Sequence, residues 1–152
     1  MGRPSERGIR VFKEVATTTS YVRTGFAPID HSHQEVDRAL LALASAVQSL
    51  DEREARRRLG GLVDELARHF ADEEAMMGVR RWTPLARHAE SHLNILRQLD
   101  RYDRLIRRRG LTEDLASWAV QGLPDMLRYH TIRSDFGFGK FALGVARDPG
   151  GR

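Results

Sequence analysis

The stretch LGGLVDELARHFADEE, residues 59–74, decides the fold class. Leu59, Leu62, Val63, Leu66 and Phe70 recur in it at steps of three and four. That is the period of one helix face, not the period of two that a strand requires. His69 continues the same stripe, and Glu73 follows four residues later, one turn along the same face. Polar groups on a face that packs against a core are costly unless something there compensates them.

The pattern repeats on both sides. Val36, Leu40, Leu43, Val47 and Leu50 mark an earlier helix, with Pro28 ahead of it and Asp30 as its expected cap. The helix containing residues 59–74 is expected to start near Asp51 and run to about Met77, weakened but not ended by Gly60-Gly61. Gly78 to Trp82 reads as a turn, and Thr83-Pro84 as the cap and first turn of a third helix. That helix carries Leu85, Ile95, Leu99, Tyr102 and Ile106, and Gly110 stops it. Thr112 is expected to cap a fourth segment bearing Leu115, Trp118, Leu123, Met126 and Leu127, which Pro124 should kink or interrupt. From Phe136 the chain is glycine-rich yet apolar at Phe138, Phe141 and Leu143, and a short docking turn is expected. Residues 1–25 read as an arm pinned by Phe12, Val15, Tyr21 and Val22, residues 26–145 as the domain, and residues 146–152 as a tail. Short links between long amphipathic helices favour an all-α, antiparallel up-down four-helix bundle.

Composition narrows the chemistry. The chain has 152 residues, enough for one domain with its own core. It has no cysteine, which excludes disulfides, thiolate metal sites and cysteine nucleophiles. Any metal must be held by nitrogen and oxygen. No apolar run suits a membrane span or a signal peptide, so a soluble, cytoplasmic protein with no membrane partner is expected. The net charge of +4 comes almost wholly from arginine. Acidic residues interleave with it, as in Asp51-Glu52-Arg53-Glu54, and the runs Arg56–Arg58 and Arg107–Arg109 contain no aromatics. This is a solvated helical surface, and no nucleic-acid partner is expected.

The histidines carry the functional information. They stand at 31, 33, 69, 88, 92 and 130. His33 opens the stripe 36, 40, 43, 47, and His88 and His92, four apart, lead into 95 and 99. His130 follows 123, 126 and 127. Each of the four helices therefore turns at least one imidazole inward. A lone core histidine is ordinarily hydrogen-bonded, but five together with Glu73 would impose a large desolvation cost without a cation. Asp135 adds a second carboxylate five residues after His130, a spacing that shares a face only where the helix bulges or ends. Nitrogen-rich ligation without sulfur suits iron, zinc or copper. Seven ligands exceed the needs of one tetrahedral ion, and two ions bridged by Glu73 and Asp135 would use them all.

These residues resemble the hemerythrin family, its bacterial members above all: Ile29-Asp30-x-x-His33, His69-Phe70-x-x-Glu73-Glu74, His88-x-x-x-His92, and His130 followed by Asp135. The resemblance runs from residue 26 to about residue 140. It implies a non-haem di-iron centre with oxo or hydroxo bridging. His88, His92 and His130 would hold one iron, His33 and His69 the other, and Glu73 and Asp135 would bridge them. Dioxygen would bind reversibly at an open position on the second iron, for carriage, storage or sensing. Val36, Phe70, Met126 and Leu127, one turn from ligands, are the expected walls of the oxygen pocket. The Glu-x-x-His pairs of the di-iron oxidases are absent, which favours binding over oxidation.

The chain departs from the family in three places. Thr131 stands where isoleucine is usual, Pro124 interrupts the helix that aims His130 and Asp135, and the arm before Gly25 lacks the usual tryptophan-containing lead-in. His31 has no family role and is expected at the surface. The competing readings are a di-iron enzyme acting on peroxide, nitric oxide or ferrous iron, and a redox or iron sensor that signals to an unidentified protein partner. A monomer is the default.

Overall fold

The computed structural model describes residues 22–150 and is helical throughout, with no strand among the described residues. Helix α1 spans Ala27–Gln48, α2 Glu52–Val79 and α3 Leu85–Arg109. The fourth rod is broken: α4 Glu113–Ser117, a π-helical segment Trp118–Gly122, α5 Leu123–His130, a second π-helical segment Thr131–Asp135, and α6 Phe136–Ala142. Helix α1 packs on α2, α2 on α3, and the segment Trp118–Gly122 returns to α1. All four rods feed one apolar core that includes Leu43, Leu62, Leu99 and Leu123, each fully buried. Side chains of this kind stabilise a fold by roughly 1.5–3 kcal/mol each. No described helix is long and apolar enough to cross a membrane.

Several helix ends differ from the sequence reading. Helix α1 begins at Ala27, which puts Pro28 inside the first turn and leaves Asp30 buried one turn in. Asp30 is not the cap. It reaches back to accept hydrogen bonds from Thr24 N at 2.7 Å, Thr24 Oγ1 at 2.8 Å and Gly25 N at 3.1 Å, and so ties the incoming chain to the helix. Asp51 does cap α2, accepting from Glu54 N at 2.9 Å. Thr83 does not cap α3. Its hydroxyl donates instead to Asp148 Oδ1 at 2.6 Å, which clasps the C-terminal residues to the α2–α3 turn. Gly110 ends α3 at φ 76°, a left-handed conformation that glycine adopts without strain.

The fourth rod shows why proline is tolerated there. Pro124 has no N–H to give and would clash with the carbonyl four residues back in a regular helix. The wider turn of Trp118–Gly122 directly precedes it, and Pro124 then sits in the first turn of α5. Gly122 is needed in this turn, since a Cβ there would lie 2.7 Å from Trp118 Cδ1. Beyond Asp135 the chain forms α6 rather than the expected docking turn. Fully buried Phe138 drives this, packing with Ile29, Met77 and Trp82 in a second, smaller apolar cluster. Phe12, Val15 and Tyr21 of the arm lie outside the described residues, and Val22 is half-buried.

The two apolar clusters bracket the polar residues. On α1 the order is Ile29 of the small cluster, His33, then Val36 of the main core. On α2 it is Leu66 of the main core, His69 and Glu73, then Met77 of the small cluster. Along α3, Leu85 packs on the small cluster, His88 and His92 follow, and Ile95 joins the main core. On the fourth rod the order is Leu127 of the main core, His130 and Asp135, then Phe138 of the small cluster.

Candidate metal centre

All seven predicted ligands converge. Glu73, His88, His92, His130 and Asp135 form one group whose potential ligand atoms lie within 4.8 Å of one another, and His33, His69 and Glu73 form a second. Glu73 belongs to both. All seven residues are buried, and the two carboxylates are 0 % exposed.

The second π-helical segment brings Asp135 into the group. In a regular α-helix of 3.6 residues per turn, a residue five positions on points about 140° away from the first. The i→i+5 bonding of Thr131–Asp135 takes up one extra residue and lets His130 and Asp135 face the same space. Asp135 Oδ1 then lies 3.0 Å from His130 Nε2 and 3.4 Å from His88 Nε2, while Oδ2 lies 3.2 Å from His33 Nε2. One carboxylate therefore divides its two oxygens between the two groups. Glu73 Oε2 lies 3.1 Å from both His88 Nε2 and His92 Nε2.

The donor set suits a cation and is poorly satisfied without one. Glu73 Oε1 and both Asp135 oxygens are buried without a hydrogen-bond partner, despite nitrogens within 3.4 Å of the latter. The ring tautomers sharpen the point. His92 Nδ1 donates to Glu74 Oε1 at 2.7 Å. His130 Nδ1 lies 3.2 Å from Ser91 Oγ, whose own proton goes to the His88 carbonyl at 2.6 Å, so His130 Nδ1 is the donor. The Nε2 atoms of the two rings both point into the cluster and stand 3.1 Å apart. Two imidazole nitrogens so close together can both serve one cation. Leaving two ionised carboxylates buried beside them without a cation would cost several kcal/mol for each.

Burial and the contacts among these groups set their protonation. Burial drives His69 down to about 4, against the pull of Glu73, so its ring is neutral at pH 7. Burial and mutual repulsion oppose ionisation of Glu73, yet His88 and His92 beside it prevail and hold it down at about 2. Burial would likewise raise Asp135, but His130 and His33 keep it well below the usual carboxylate range. Burial lowers His33, and its contact with Asp135 more than offsets that and leaves it raised.

A small cavity of about 20 Å³ is bordered by His33 and His69, by His130 and Asp135, and by Val36, Leu66, Phe70, Leu127 and Thr131. A water requires roughly 10–15 Å³ by this measure, so the space suits one very small molecule. Val36, Phe70 and Leu127, expected as pocket walls, border this cavity, as does Thr131. Met126 does not. It packs half-buried against the main core, and Leu66, one turn before His69, takes its place in the wall. Phe70 also stacks on His92 with ring centroids 3.9 Å apart. Sequence reasoning assigned no role to Glu74 or Ser91, the hydrogen-bond partners of His92 and His130. Their signal was adjacency, since Glu74 follows Glu73 and Ser91 precedes His92. His31 is exposed, as expected.

Comparison with known proteins agrees with this geometry. The family model for the hemerythrin HHE cation binding domain matches residues 24–142. No curated protein and no solved structure matches the chain. With the family model covering most of its length and a buried His/Glu/Asp cluster suited to a metal ion, the chain belongs to the hemerythrin family.

Proposed function

We propose that the chain holds two iron ions and binds dioxygen reversibly beside the second. The observation that carries this reading is the pair of overlapping ligand groups, sharing Glu73 and joined by the two oxygens of Asp135, with the small cavity next to the group that has fewer imidazoles. His88, His92 and His130 would hold one ion, His33 and His69 the other, and Glu73 and Asp135 would bridge them. A ferrous pair, when bound, supplies the two electrons that reversible dioxygen uptake draws on.

The chain's own residues do the rest. Imidazole ligands add no negative charge to a metal, which favours reversible binding over further oxidation. Glu74 and Ser91 fix the tautomers of His92 and His130. Val36, Leu66, Phe70 and Leu127 keep the cavity apolar and limit access of water. Among the described residues, Thr131 is the only hydroxyl-bearing one on that cavity wall.

The order of residues around the site supports an antiparallel up-down bundle. Successive rods run from small cluster to main core, then back again, four times in alternation. A reducing compartment such as the cytoplasm suits a chain without cysteine.

The test is metal analysis together with an optical spectrum of anaerobically loaded protein before and after exposure to air. Two irons per chain and a visible band that appears in air and vanishes under vacuum are expected. Fewer than two irons, or a band that vacuum does not remove, would refute the reading. Turnover of many equivalents of peroxide per site would instead make the protein an enzyme.

A further inference from the structure

A second cavity lies against the outer side of the ligand cluster. It is a cleft of about 420 Å³, and Trp82, Arg87, His88, Ser91, Arg133 and Ser134 border it. Metal binding does not account for it, and its wall carries donors without acceptors. Trp82 Nε1 and His88 Nδ1 are both buried without a hydrogen-bond partner, on side chains of residues only 5 % and 3 % exposed. Arg87 and Arg133 are exposed and form no ion pair with a carboxylate among the described residues. The cleft also meets the start of α3, which no side chain caps, so the positive end of that helix dipole faces the same region.

His88 stands apart from its neighbours. A metal-holding imidazole nearly always passes its second N–H to an acceptor, which orients the ring and makes it a better electron donor. His92 uses Glu74 and His130 uses Ser91, but nothing in the described chain serves His88 Nδ1. With Nε2 turned toward Glu73 and the cluster, Nδ1 is the nitrogen left for the cleft. Asp148 supplies no such acceptor, because its oxygens take hydrogen bonds from Thr83 and from Gly150 N.

We propose that this cleft binds a small oxyanion, a phosphate or carboxylate group, whose oxygens accept hydrogen bonds from His88 Nδ1 and Trp82 Nε1 and pair with Arg87 and Arg133. Planar guanidinium groups suit such anions. The bound anion completes the hydrogen bonding of His88 and thereby links its own concentration to the strength of the metal site. This inference rests on the geometry around His88 and not on dioxygen uptake.

Calorimetric titration of the full chain with inorganic phosphate, and separately with acetate, at low ionic strength tests it. One site per chain is expected for at least one of the two anions, and the stronger of them identifies the preferred headgroup. Arg87→Ala and Arg133→Ala, both at exposed positions, should each weaken binding about tenfold or more, as loss of a charge-assisted contact does. Trp82→Phe should also weaken it, while Trp118→Phe should not. Arg104→Ala should leave it unchanged, because that guanidinium pairs with Asp100. Binding weakened equally by Arg104→Ala would mean only general attraction to a cationic chain, and absence of heat with both anions would also overturn the proposal. A protein that fails to take up dioxygen would leave this titration fully informative.

Discussion

Thr131 offers a quantitative test of the cavity. It is 5 % exposed, borders the small cavity, and begins the π-helical segment that carries Asp135 into the cluster. On the proposed reading, the Thr131 hydroxyl favours entry of a water into a cavity with room for one small molecule, where the water competes with dioxygen and brings a proton that speeds irreversible loss. One hydrogen bond contributes about 0.5–1.5 kcal/mol. At 1.4 kcal/mol per tenfold, this is a factor of about 2 to 12 in water occupancy. Thr131→Val removes the hydroxyl at nearly constant volume, so the air-equilibrated form should decay about 2 to 12 times more slowly by the same arithmetic. Thr131→Ile adds a further methylene to a cavity of only about 20 Å³ and should slow decay at least as much. The assay is the decay of the visible band in air at fixed pH and temperature. Equal decay rates in all three proteins would show that the hydroxyl holds no such water.

Three further outcomes are expected. Glu74→Ala strips His92 of its Nδ1 acceptor and should lower metal affinity by about 10- to 100-fold in competition with a chelator, with helix content by circular dichroism unchanged. Gly60→Ala and Gly61→Ala place a Cβ in open space on α2 and should each stabilise the protein by about 0.8–1 kcal/mol in urea titration, whereas Gly122→Ala drives a Cβ into Trp118 and should destabilise it. For the metal-free protein, His69 has a folded pKa of about 4 against about 6.5 unfolded. The unfolded state therefore takes up the proton first, and the stability His69 contributes is complete above about pH 6.5 and lost as pH falls toward 4. His69→Leu lacks that loss and should gain roughly 3 kcal/mol relative to the parent between pH 7 and 4. Parallel stability profiles for the two proteins would contradict this.

The candidate cluster was legible because its residues and the core share one periodicity. His33, His69, His88, His92 and His130 each continue an apolar stripe, so the pattern that defines the helices also aims the rings. Asp135 was legible only as a condition, since its spacing of five demanded a bulge, and the structure supplies one at Thr131–Asp135. What stayed hidden was long-range. Thr83 reads as a helix cap by local rules, yet its hydroxyl bonds to Asp148, 65 residues away. Asp30 reads as a cap but acts from inside the helix, because its acceptors serve Thr24 and Gly25. The residues after Phe136 look like a glycine-rich turn until Phe138 is seen among Ile29, Met77 and Trp82. Met126 failed as a wall residue because one helical turn from His130 does not say on which side of the ring a neighbour falls.

The single surplus residue taken up between Thr131 and Asp135 behaves like a skipped tooth in a gear. Inserting an alanine after Ser134 would give the rod a second surplus residue and swing everything downstream out of phase. Asp135 would leave the cluster and Phe138 would leave its slot beside Trp82 in the same movement, so loss of the cation and loosening of the C-terminal helix should arrive together. An insertion protein that kept both its full metal content and a protected Phe138 region in hydrogen exchange would show that the two are not geared to each other.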